Sequence, residues 1–178
     1  MIKSILILIV FLSIQALQAR ELETVAFIDA GKYLGRWYQQ SRNPLPFEPL
    51  DCFCAQQTLT ATTDGNVSVF NSCNKDSVQG PMVGILGYAT NDNPGLNTKF
   101  SVDFGFPKKG QYWIIGIDSE YRWAVVSEPS KASLYILSKT PVLAPELYEA
   151  ALSSAAAQVS TEKLRTTVHE SCQYPVLN

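Results

Sequence analysis

Only one histidine, His169, occurs in the 178 residues, and methionine is nearly as scarce with two. A lone imidazole in a C-terminal tail beside Glu170, with no serine or cysteine motif near it, offers no base for a nucleophile and no histidine-based metal site. It reads as a surface residue. Charged residues make up 17% of the chain and no basic residues cluster, so a nucleic-acid partner is not expected. Glycine-rich phosphate loops are missing. The four cysteines, Cys52, Cys54, Cys73 and Cys172, lack the Cys-x-x-Cys spacing of structural zinc. No metal, no cofactor and no catalytic residue is therefore expected, and the chain does not read as an enzyme. The apolar run Ile5–Ile14 is too short to cross a bilayer.

That run belongs to a secretory leader. MIKSILILIVFLSIQALQA carries one lysine, then apolar residues, then small and polar ones ending at Ala19, so a signal peptide over 1–19 is expected, although Leu17 is large for its place before the cut. No cysteine follows the cut, which argues against a lipid-modified membrane anchor. The remaining residues, 20–178, suit one secreted domain with a real core. Losing Lys3 takes Lys and Arg from 14 to 13 against 16 Asp and Glu, a formal charge of −3. In an oxidising compartment the four cysteines make two bridges, with three pairings open. Asn66-Val67-Ser68 is a glycosylation sequon at a turn.

Short runs of β-branched and aromatic residues recur at even intervals, without βαβ alternation. The expected strands are Arg36–Ser41, Phe53–Ala61, Val67–Cys73, Met82–Thr90, Lys99–Phe104, Tyr112–Ile117, Tyr121–Ser127 and Ser133–Ser138. Eight strands suffice to close a small antiparallel barrel. Asp64-Gly65-Asn66, Asn91-Asp92-Asn93-Pro94-Gly95, Pro107-Lys108-Lys109-Gly110 and Asp118-Ser119-Glu120 supply the turns, so the strands run up and down. The proline-rich stretch from Ser41 to Asp51 is long enough to fold over one end. Pro145–Ala155 has apolar residues at helical spacing and predicts one helix packed outside the sheet. The strand before it, with Leu134-Tyr135-Ile136-Leu137, is apolar on both faces, as a helix-covered strand must be. No internal repeat is present.

Tyr33-Leu34-Gly35-Arg36-Trp37-Tyr38 contains Gly-x-Trp. Ile117-Asp118-Ser119-Glu120-Tyr121 and Tyr135-Ile136-Leu137-Ser138-Lys139-Thr140-Pro141 follow at fixed places near the later strands. With these motifs in this order the chain resembles the lipocalins, nearest the apolipoprotein D and bacterial outer-membrane lipocalin branch. The resemblance implies an eight-stranded up-and-down barrel closed at the base by Trp37, with Gly35 giving the backbone room. It also implies a cation from the third motif over the indole. Here that cation is Lys139 where the family has arginine, and lysine lacks the planar stacking surface, so weaker packing on Trp37 is expected.

A hairpin at Asp64-Gly65 would bring Cys54 nearly opposite Cys73, and Cys52 aligns with the family cysteine that bonds the C-terminal segment. Cys52–Cys172 and Cys54–Cys73 are expected. The swapped pairing stays open, because residues two apart on a strand face the same side. By resemblance, Gln57, Val69, Asn71, Phe104, Tyr112, Ile114, Val126, Tyr135 and Leu137 point inward. Phe47 and Phe106 are placed at the mouth, while Lys108 and Lys109 read as a solvated turn. The implied function is a secreted monomer or weak dimer that binds a small hydrophobic ligand such as a lipid, fatty acid, retinoid, sterol or pigment. Two alternatives are an isomerase or synthase using a cavity cysteine, Cys73, and a subunit of a pigment assembly.

Overall fold

The computed structural model describes residues 21–44 and 51–176. The expected leader and Phe47 lie outside them. Eight strands follow in order: β1 Gly35–Arg42, β2 Cys52–Ala61, β3 Val67–Lys75, β4 Met82–Asn91, β5 Lys99–Asp103, β6 Gly110–Ile117, β7 Trp123–Ser127 and β8 Leu134–Ser138. Each pairs antiparallel with the next, and β1 pairs with both β8 and β2, so the sheet closes on itself. Every expected strand is present, with ends displaced by no more than two residues. Closure fixes two ends. The mouth carries the β1–β2, β3–β4, β5–β6 and β7–β8 connections. The base carries the others and the segment that precedes β1.

Alternation along the strands splits the apolar residues into two cores. Inside the barrel Trp37, Leu59, Val69, Ala89, Val102, Ile114, Ala124, Val126 and Leu137 pack together. Outside it, Ile115, Trp123, Val125, Leu134 and Ile136 meet the helix α2, Pro145–Ala156, through Ala151 and Ala155. Leu134 and Ile136 are fully buried on the outer side and Leu137 on the inner, so β8 is covered on both faces. Burying a side chain of this size contributes about 1.5–3 kcal/mol. Gly116 permits the close approach of the helix: a Cβ there would lie 2.3 Å from Ser154 Oγ.

Two elements were not expected from the sequence. A single helical turn, α1 (Ala30–Tyr33), precedes β1, with the Asp29 carboxylate accepting from Lys32 N–H. The second is β9, Arg165–Thr166, which pairs with β1 at Ser41 and Arg42. It exists because β1 and β2 pair only from Gly35↔Leu59 to Tyr38↔Gln56. Towards the mouth β2 leaves β1 at a bulge between Phe53 and Gln56. The C-terminal strap fills that gap: Thr167 N–H donates to Gln40 O on one side, and Cys54 N–H donates to Val168 O on the other.

Candidate functional site

The base is built around Trp37, which has no exposed surface. Its indole N–H donates to Tyr33 O at 2.7 Å, and the Tyr33 ring lies 4.9 Å from it. Lys139 sits over the indole with Nζ 4.2 Å from the ring centroid and donates to Leu34 O at 2.7 Å and Tyr33 O at 3.2 Å. The lysine thus ties the ring to the turn that covers it. Burial pulls the amine down to about 8, which leaves it mostly protonated at neutral pH. Gly35 has φ +91°, and an added Cβ would meet nothing closer than Lys139 Nζ at 3.9 Å. Glycine is therefore required here for its left-handed backbone, not for the space expected from the sequence. The β6–β7 turn completes the base. Asp118 accepts two hydrogen bonds from the Arg122 guanidinium, which hold its carboxyl below the usual range. Tyr121 Oη accepts from Asp29 N–H at 2.8 Å.

Above the base the interior is only partly filled. Ile114, Val126 and Leu137 pack with Trp37 and Ala124 on the side of β6 to β8 and β1. Against the opposite wall lies an open cavity of about 110 Å³, lined by Leu59, Val67, Val69, Ala89, Phe100 and Val102 from β2 to β5. Ile28, Tyr33 and Leu34 line it from below and Tyr112 from β6. A hydrogen-bond chain crosses the bore here: Gln57 Nε2 donates to Tyr112 Oη at 2.7 Å, and Tyr112 Oη meets Tyr33 Oη at 2.7 Å. Burial pushes the Tyr112 phenol up to about 12 and the Tyr33 phenol well above its ordinary value, so both stay protonated.

All nine inward positions expected from the sequence share the interior, yet only Val69 and Tyr112 line this cavity. Phe104 and Tyr135 pack on the inner core from the mouth side. Asn71 pairs with Gln57 and Ile85 on the same face, and its Oδ1 is buried without a hydrogen-bond partner among the described residues. Val83 and Ile85 also point inward, opposite Cys73 and Asn71, and are 42% and 36% exposed. Phe106 stands exposed on the β5–β6 loop, and among the described residues Lys109 pairs with Asp103, at 4.0 Å between exposed side chains.

Residues 28–169 match the Lipocalin-like domain. The chain belongs to the lipocalin family. This lipocalin is 36% identical to the outer membrane lipoprotein Blc of Citrobacter freundii over 129 residues, 71% of each chain. It is 32% identical to apolipoprotein D of Mus musculus over 156 residues, 81% of this chain and 78% of the relative. Insecticyanin from the tobacco hornworm Manduca sexta shares the fold with a TM-score of 0.68 at 19% identity, covering 87% and 89% of the two chains.

The disulfides of the lipocalin differ from the expected pairs. They are Cys52–Cys73, with Cα atoms 5.5 Å apart, and Cys54–Cys172, with Cα atoms 5.7 Å apart. The bulge is the reason. Cys54 lies in it with φ +56°, which turns its side chain away from the face that Cys52 shares with Cys73. Its sulfur comes near Val78 O and Asn74 Nδ2, beside the strap that carries Cys172. Residues two apart face the same side only in an unbroken strand. With all four cysteines bonded, Cys73 offers no thiol for an isomerase.

His169 is a second correction, since it is buried rather than on the surface. Its Nε2–H donates to Gln39 O at 2.7 Å and its Nδ1 accepts from the Tyr174 hydroxyl. Burial lowers its pKa, so the ring is neutral at pH 7. Of the cavity residues that were not anticipated, Leu59, Val67, Phe100 and Val102 were within reach of the sequence, being two or four residues from Gln57, Val69 and Phe104 on the same strands. Tyr33, in a helical turn, had no such signal.

Proposed function

We propose that this lipocalin is a secreted single-domain carrier that holds a small hydrophobic molecule in the barrel without transforming it. The observation that carries the reading is the apolar interior towards the mouth, where the inward-facing Val83 and Ile85 remain 42% and 36% exposed. Burying an alkyl chain there contributes about 0.8 kcal/mol per methylene. The polar groups in the bore at this level are the Gln57 and Asn71 amides and the Tyr112 phenol. They favour a neutral or acidic molecule with one polar end, such as a fatty acid, retinoid or sterol, over an amine. Phe47 and Phe106 belong at the entrance in this reading. The leader, residues 1–19, is removed on secretion, and Asn66 at the β2–β3 turn is the glycan acceptor, at the end of the barrel away from the mouth.

A second reading rests on the outer face of β3 and β4. Phe70 opposes Leu86 there, and Met82, Leu86 and Tyr88 are each more than half exposed. An apolar strip of this kind supports weak self-association, read out as a concentration-dependent sedimentation coefficient. The carrier reading is tested by native mass spectrometry of the secreted protein before and after organic extraction. A one-to-one hydrophobic adduct is expected. An empty barrel whose Trp37 emission also ignores fatty acids, retinoids and sterols refutes it. Trp113 packs with the outer core, so Trp37 is the reporter of the interior.

A further inference from the structure

The open cavity reaches the surface at the base of the barrel. Its rim residues are Ala30 and Gly65, both exposed, with half-buried Asn91 and Asn97. These belong to the α1 turn, the β2–β3 turn and the β4–β5 loop, all at the base. No residue of the mouth connections lines it. Its ceiling is the contact between Gln57 and Tyr112, which the Tyr33 hydroxyl meets from below. Gln57 is on β2 and Tyr112 on β6, four strands apart in either direction around the eight-stranded ring. Side chains from opposite walls that meet at 2.7 Å form a bar across the bore. The cavity lies on the base side of this bar, and Asn71, Val83 and Ile85 are not among its lining.

The same chain leaves a donor over. Tyr112 Oη accepts from Gln57, and the contact between the two phenols uses one hydroxyl proton. Whichever phenol donates, the proton of the other has no acceptor among the described residues. Both rings line the chamber, and Tyr33 is 95% buried, its relative exposure being 5%. A buried donor without an acceptor is destabilising until something supplies one. The remaining wall is aliphatic or aromatic. The chamber is comparable with the engineered apolar cavity of about 150 Å³ that holds benzene.

We propose a second binding site in this lipocalin, at the closed end of the barrel. It is entered beside α1 and takes a compact neutral molecule of about the size of a substituted benzene, with one hydrogen-bond acceptor for the phenol. The site is independent of the mouth, so it stands or falls separately from the carrier reading.

The test is solution NMR of the full secreted protein titrated with benzaldehyde and with toluene, which lacks the acceptor, at the millimolar concentrations suited to ligands this small. Palmitate is titrated in parallel as the probe of the upper space. Benzaldehyde is expected to shift the Gly65 and Asn97 amides and the Ala89 and Val67 methyls, leaving Val83 and Ile85 unmoved. It should bind about threefold to tenfold tighter than toluene, the worth of one neutral hydrogen bond. Val67→Phe, at the partly exposed rim, should weaken benzaldehyde at least tenfold and leave palmitate unchanged; Ala89→Leu, which fills the chamber, serves if that variant does not fold. Saturable shifts at Val83 and Ile85 with none at Gly65 overturn the proposal, as does no saturable shift at all. So does equal affinity for toluene, or a loss of palmitate binding in step with benzaldehyde. A protein that binds benzaldehyde and not palmitate would keep the base site and remove the carrier reading.

Discussion

Removing one disulfide at a time, with both partners changed to alanine, should separate the two bridges by their loops. Cys54–Cys172 spans a sequence separation of 118, and Cys52–Cys73 one of 21. By loop entropy the longer bridge stabilises by about 5 kcal/mol and the shorter by about 3. The difference should survive partial compensation, because both bridges join segments that are otherwise hydrogen-bonded. The strap keeps Thr167 on Gln40 and His169 on Gln39 without its disulfide, and β2 keeps its register with β3 without the other. Urea denaturation should therefore show C54A/C172A to be less stable than C52A/C73A by about 1–2 kcal/mol, or about 2–8 °C in melting temperature for a domain of this size. A non-reducing digest that cuts after Phe53 should accompany it. The reasoning fails if the C52A/C73A protein is the weaker of the two, or if the digest links Cys52 to Cys172.

Acidification should weaken the strap. Burial lowers the folded pKa of His169 below its unfolded value near 6.5, so the unfolded chain binds the extra proton first and stability falls as the pH drops below about 6.5. His169→Gln should flatten that part of a stability-against-pH curve, and an unchanged curve refutes the assignment. At the alkaline end Tyr112, with a pKa of about 12, and Tyr33 hold their protons after the unfolded chain loses them near 10. Their contribution is full below pH 10 and is lost above it, with late phenolate absorbance as the sign. Trp37 emission should change near pH 8 as Lys139 deprotonates over the indole, and Lys139→Met should abolish that transition. Trp37→Ala should cost about 3–5 kcal/mol, measured by urea denaturation, because nothing nearby can refill the base.

The strands were legible because each rests on two local signals, alternation and turn residues, and tertiary packing agreed with both. Leu134, Ile136 and Leu137 even disclosed the covering helix, since a strand apolar on both faces needs one. The bulge at Cys54 had no such signal. It forms where β2 must leave β1 to admit the strap, and the strap is polar, with only Arg165 and Thr166 in regular pairing. His169 was misread for the same reason: its burial comes from Gln39 and Tyr174, which reach it only once the tail is stapled down. Inward positions were legible one by one, but which of them leave space was not, because a void depends on every wall at once.

The closing strand explains why the two ends of this barrel behave differently. Near the base β1 is held on both edges by whole strands, Tyr38 pairing with Ser138 on β8 and Gln56 on β2. Near the mouth β8 still holds one edge, but the other is held by a two-residue strand whose following segment, among the described residues, joins β2 through one disulfide and one backbone hydrogen bond. The seam between β1 and β2 is therefore strong below and covalently pinned above. Hydrogen exchange should reflect this. On selective loss of Cys54–Cys172, the amides of Thr167 and Cys54, which bridge the seam, should exchange much faster, while those of Arg36 and Trp37 at the base keep their protection. Equal acceleration along all of β1 would mean that the barrel opens as a unit and that the strap does not carry the upper seam.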